Sequence, residues 1–235
     1  MGNRAVITTK ERELALYLHW NGGRDTVEPL LRYCELQGYR PPSSDSYGWA
    51  RMAQVMGNFF GGSLSVGIDR FDRIGDQGDN GVYVIDGWRI VERVREERDG
   101  DWSVVGWRAV DPSEEQRGHD FGGMLRAFDE AMPERLRLGE FLDAVEVPAG
   151  ELRIGDEVWL RGVDGSWGSY PVVGFGQPEC NRIPVRVETP GGTARIAYPD
   201  LPYVARYGRD GDFSWNSNNY VHGDTARIKP RPEDA

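Results

Sequence analysis

The stretch that decides the fold is Leu14-Ala15-Leu16-Tyr17-Leu18-His19-Trp20-Asn21-Gly22-Gly23-Arg24-Asp25-Thr26-Val27-Glu28-Pro29-Leu30-Leu31. Its first seven residues read as a strand, Asn21-Gly22-Gly23 breaks that strand, and the spacing of Val27, Leu30, Leu31 and Cys34 then changes to a helical period. Asp25 or Thr26 is expected as the helix cap, with Glu28 in the first turn and Pro29 tolerated because first-turn amides have no intrahelical partner. Upstream, Ala5 to Thr9 and the charged turn Lys10 to Glu13 complete a β-hairpin with that strand. Downstream, the helix is expected to stop near Gly38, and Pro41 to Asp45 forms a loop.

Working outward, Tyr47 to Phe60 reads as a second helix. Trp49, Met52, Met56 and Phe59 share its apolar stripe, and Gly61-Gly62 ends it. A short strand is expected over Ser63 to Ile68, and a hairpin over Val82 to Val94 around the Asp86-Gly87 turn signal. Trp102 to Val110 suits one more strand, and Phe121 to Ala131 a third helix before Pro133. From Gly139 the pattern changes to short apolar runs with turns between them, and Leu152 to Val158 resembles the opening of small SH3-like barrels. The expected fold is therefore α+β: a sheet packed with helices over residues 1–138, then a small SH3-like β-barrel over 139–205. Residues 206–235 are expected to form a polar extension with a frayed end.

Composition narrows the function. The chain has 235 residues, a net charge of −10 and only two cysteines, Cys34 and Cys180, with no CxxC pair. That excludes a disulfide framework, and no apolar run reaches the roughly 18 to 20 residues needed to cross a membrane. No signal-peptide pattern is present, so the expected location is the cytoplasm. The acid excess also argues against phosphate-driven nucleic-acid binding, which needs clustered cations.

Tyr17 to Asp25 (YLHWNGGRD), Tyr47-Gly48-Trp49-Ala50-Arg51, Gly57 to Gly62 and Asp79 to Tyr83 together resemble the N-terminal module of uncharacterised proteins from phages and integrative mobile elements. The resemblance spans roughly residues 1 to 95. It implies a mobile-element setting and accessory work such as countering host defence, and it carries no catalytic role with it.

The strongest local candidate for chemistry is the strand-to-helix corner. His19, Asn21, Gly22, Gly23, Arg24 and Thr26 could hold a phosphorylated or nucleotide-like ligand against helix-start amides, with Arg24 as the paired charge. A plain tight turn explains the same glycines. His19, His119 and His222 lack the short spacing of a zinc site, and Asp69, Asp72, Asp76 and Asp79 do not follow the EF-hand order. Cys34 belongs to an apolar helix stripe, and Cys180 has no base near it in sequence. Trp159, Trp167, Tyr170 and Phe175 could stack on bases, but alternating aromatics in a small barrel more often form its core. The reading with most support is a protein that binds a host or phage protein or a phosphorylated ligand. The alternative is a hydrolase or nucleotide-processing enzyme pairing His19 with Asp25 or Asp79. No cofactor motif is present.

Overall fold

The computed structural model describes residues 3–43, 46–63, 65–75, 77–115, 120–161, 166–176, 184–197, 203–207, 214–221 and 225–234. The chain is α+β and divides into two compact units, Met1–Arg137 and Leu138–Ala235.

In the first unit, β1 (Ala5–Thr9) and β2 (Leu14–Leu18) form the expected hairpin, followed by α1 (Arg24–Leu36), α2 (Ser46–Phe59) and β3 (Val66–Arg70). Then come β4 (Val82–Asp86), β5 (Arg89–Arg98), β6 (Val104–Ala109) and α3 (Phe121–Ala131). The sheet order is β3-β2-β1-β4-β5-β6. Only β1 and β4 run parallel, in the register Val6↔Val82 to Thr9↔Ile85; the intervening chain through both helices makes that crossover. All five residues of β1 are buried, as a strand covered on both faces must be. On one face Val6, Ala15, Val82, Val84 and Val94 pack under Tyr17, Phe71 and Ile74. Strand alternation sends Ile7, Leu16, Leu18, Tyr83 and Ile85 to the other, where the helices lie, and all five are fully buried.

Trp49, Met52 and Met56 are buried along α2 as their spacing predicts, whereas Phe59 turns to Phe128 of α3, with ring centroids 4.9 Å apart. A buried polar chain joins α1 to the segment around α3. The Tyr33 hydroxyl donates to Asp129 (2.7 Å), and Gln37 donates to Tyr33 (2.9 Å) and to the Leu136 carbonyl (2.7 Å). Cys34 is buried in α1, and burial pushes its thiol pKa well up.

The second unit contains β7 (Val145–Pro148), β8 (Glu157–Arg161), β9 (Trp167–Phe175), β10 (Pro184–Thr189), β11 (Gly192–Ala197), β12 (Tyr203–Tyr207), β13 (Ser214–Val221) and β14 (Thr225–Ile228). Six of them form one sheet in the order β11-β10-β9-β8-β14-β7, and β12 pairs with β13. Among the described residues this sheet does not close on itself. The expected polar extension also needs correcting. Ala226 and Ile228 of β14 are core residues beside Val158, Leu160 and Val187, and β14 lies between β7 and β8. The segment after it is tied down too, since Arg231 grips Asp156 with two hydrogen bonds (2.9 and 2.8 Å). Polar side chains at alternate positions hid a buried strand, because only one face of β14 meets this core.

Candidate functional site

The strand-to-helix corner is built differently from the sequence expectation. The left-handed turn is made by Asn21 (φ 56°), not by a glycine. Gly22 is needed for close approach: a Cβ there would lie 2.6 Å from that of Ala5 and 2.7 Å from backbone atoms of Arg4 and Ala5. Its amide donates to the Asn3 carbonyl (2.6 Å), and its carbonyl accepts from the Tyr83 hydroxyl (3.0 Å). The helix starts earlier than predicted. Gly23 is the N-cap, with no side-chain cap, and its carbonyl accepts from the amides of Thr26 and Val27 (both 3.0 Å). Thr26 is buried inside the first turn, so neither it nor Asp25 caps the helix. Pro29 consequently falls in the second turn, and the Asp25 carbonyl loses the amide that would normally bond to it. One Asp25 carboxylate oxygen is also buried without a partner.

Arg24 does not face open solvent as the charge of an empty anion site. Its guanidinium bonds Glu28 one turn on (3.1 Å) and Glu115 (2.6 Å). Glu115 follows β6 in the chain, its side chain is only 4% exposed, and its other oxygen accepts from Arg93 (2.7 Å). Arg93 is itself 9% exposed. It lies 3.4 Å from the Tyr83 ring centroid and donates to the carbonyls of Val82 (2.7 Å) and Asn80 (2.9 Å). Burial would raise the Glu115 pKa, but the hydrogen bonds from Arg24 and Arg93, together with their charges, outweigh it and hold the carboxyl below the usual range. Burial pushes the Tyr83 hydroxyl well up. The place where an anion was expected is therefore served by a carboxylate of the chain itself. Sequence reading missed Glu115 and Arg93 because they lie far from Arg24 in the chain.

His19 does not meet either proposed carboxylate. Its Nδ1 lies 3.2 Å from the Tyr17 hydroxyl, and its ring stands edge-on to Trp20 at 5.0 Å. Asp79 instead accepts from the Arg4 amide (3.3 Å) and pairs with its guanidinium (3.5 Å). In the Asp-rich loop, Asp72 is held by Arg70 (2.5 Å) and Asp69 accepts from the Arg70 amide (2.7 Å). Among the described residues no three His, Cys, Asp or Glu side chains converge as metal ligands. His119, His222, Cys180 and Asp76 lie outside the described residues. Of the four aromatics considered for base stacking, Trp159 is buried and Tyr170 packs on the second unit's core. Trp167 stacks on Phe141 (3.8 Å, 9° between planes), which leaves Phe175 as the exposed one.

A feature the sequence reading passed over is the turn between β5 and β6. Trp102 is 77% exposed and adopts left-handed backbone (φ 63°), a conformation costing a bulky L-residue about 1–2 kcal/mol. Asp99 holds it there. One Asp99 carboxylate oxygen accepts from the amides of Asp101 (3.0 Å) and Ser103 (2.9 Å), while the Trp102 amide donates to the Asp99 carbonyl (3.0 Å). Arg98 adds a bond to the Trp102 carbonyl (3.2 Å). Val104, Val105 and Trp107 of the adjoining β6 are exposed as well. The available signal was Asp99-Gly100-Asp101, an Asx-turn composition directly ahead of the strand expected over Trp102 to Val110.

Comparison with protein-family models, curated proteins and solved structures finds no match for the chain. No helix among the described residues is long and apolar enough to cross a membrane.

Proposed function

We propose that this is a mobile-element accessory protein that acts by binding a host or phage protein, with Trp102 as the anchor of the contact. The observation that carries the reading is an exposed indole on a strained backbone that the hydrogen bonds around Asp99 and Arg98 hold in place. Strain kept at an exposed position is characteristic of recognition loops, because an ordinary turn sequence would relax it. An aromatic on a fixed backbone has only two side-chain torsions to lose on binding, and tryptophan is over-represented among residues that dominate interfaces. The same proposal keeps an SH3-like character for residues 139–205, whose Leu152 to Val158 opening suits a partner-binding module.

The test is affinity capture by the immobilised full chain, set beside a Trp102→Ser variant whose folding is verified by thermal melting. Removing a dominant interface residue costs about 2 kcal/mol or more, so capture of the specific partner should weaken by at least about tenfold. Equal capture by both proteins removes Trp102 from the interface and overturns the reading.

A further inference from the structure

We infer that the partner of this hairpin presents a basic, extended segment that adds to β6 as a further strand; this rests on the reading of the hairpin as a binding surface. The first observation is an open strand edge. β6 ends the sheet order, and no described strand pairs with its outer side. The Val110 amide donates to the Arg93 carbonyl (3.0 Å), while Ala109 and Trp107 stand opposite Val94 and Glu96. Backbone groups alternate in direction along an antiparallel pair, so those of Trp107 and Ala109 point away from β5 toward the open edge, where the Ala109 carbonyl accepts a long bond from the Arg108 guanidinium (3.5 Å).

The second observation is that the first four residues of this edge lack the usual charged guard. The opposite edge strand, β3, carries exposed Asp69 and Arg70, whereas β6 presents Val104-Val105-Gly106-Trp107 and has its one charged residue, Arg108, near the far end, where it pairs with Glu114. Charged residues normally protect an edge from strand addition, so an apolar edge beside an anchoring indole is suited to receive one.

The third observation sets the chemistry of the incoming strand. Glu97 stands opposite Gly106, and its carboxylate lies 3.2 Å from where a Cβ on Gly106 would be, so glycine leaves it lying across the strand. Asp101 sits beside Trp102 at the turn. Neither the Glu97 nor the Asp101 carboxylate makes a hydrogen bond or ion pair among the described residues, although Glu97 lies close enough to Arg108 for their charges to interact. With Glu96 and Asp99 as further acids and Arg98 the one cation over residues 96–107, this end of the hairpin is acidic and favours Arg or Lys, through charge and through cation–π contact with Trp102. An acidic strand would be repelled.

The experiment selects random surface-displayed peptides of about twelve residues, roughly twice a typical strand, on the immobilised full chain. Enriched sequences should carry Arg or Lys at alternate positions and lack Asp and Glu. Their affinity should fall about tenfold in a Glu97→Gln/Asp101→Asn variant, and their binding should slow amide exchange at Trp107 and Ala109. Peptides that depend on Trp102 but show neither basic bias nor edge-amide protection overturn this inference and leave the binding surface standing. Peptides bound equally by Trp102→Ser contradict both readings. A selection yielding no enriched peptide overturns the strand-addition inference, while the capture experiment decides the surface independently.

Discussion

Replacing Glu115 with Ala tests whether the Arg24–Glu115–Arg93 bridge holds the first unit together. The substitution removes two short charge-assisted hydrogen bonds (2.6 and 2.7 Å) and leaves Arg93 almost wholly buried without its counter-charge. Breaking a buried ion pair from one side typically costs about 3–5 kcal/mol. Arg93 keeps two carbonyl acceptors and the Tyr83 ring, which places the expected loss near the lower limit, about 3 kcal/mol. For a unit of this size that corresponds to a fall in melting temperature of roughly 10 °C. Arg24→Ala should cost far less, about 1 kcal/mol or below, because that guanidinium is partly solvated.

Urea unfolding of both variants measures the difference, and pH gives a second reading. The Glu115 pKa lies below its ordinary value of 4.5 in the folded chain, so the bridge's contribution is fully present above that pH. It is lost as the pH falls through the depressed folded value. Glu115→Gln should abolish this part of the acid dependence. A Glu115→Ala cost under about 1 kcal/mol, with unchanged acid sensitivity, would refute the bridge as a structural element.

Trp49 is 7% exposed in α2, and Trp49→Ala should cost about 3–5 kcal/mol by denaturant titration; a loss below about 1 kcal/mol would mean the face is not core. Gly22→Ala drives a methyl into backbone atoms that cannot yield and should destabilise by about 2 kcal/mol or more. Gly57→Ala, in α2 with nothing within 4 Å of the new Cβ, should stabilise by about 0.5–1 kcal/mol, so thermal melting of the two reads opposite signs. Arg231→Ala strips Asp156 of its bidentate partner where both side chains are largely buried. It should cost about 3 kcal/mol and speed amide exchange along β14; unchanged exchange would count against the tether.

What could be read in advance depended on how local its cause was. The β1–β2 hairpin, the breaks at Asn21 to Gly23 and Gly61-Gly62, and the three helices rest on spacing within about a dozen residues, where hydrophobic period and turn chemistry act directly. The start of α1 was misjudged because its cause is remote: Gly22 is pressed against Ala5 and Arg4 across the sheet, which brings the helix in at Arg24. The same distance hid the ion bridge, whose members come from α1, β5 and the segment after β6. β14 was misread for a related reason. Four residues with two polar side chains carry no signal until the strands on either side are known. Trp102 is different, because the Asx composition ahead of it was local; the strand expected from Trp102 begins only at Val104, and Trp102 belongs to the turn.

The place of β14 between β7 and β8 bears on how the chain is made. A ribosome delivers residues in order, and during synthesis of residues 162–224 the edges of β7 and β8 that β14 will join have nothing between them. For that interval the second unit exposes unpaired backbone on strands whose side chains belong to the core, the kind of intermediate that chaperones retain and that aggregates when crowded. Chains halted before residue 225 should consequently be recognised by proteases as unfinished, whereas chains extended beyond β14 escape once Ala226 and Ile228 seat. Quality control of this protein would then act as a timer on the arrival of β14.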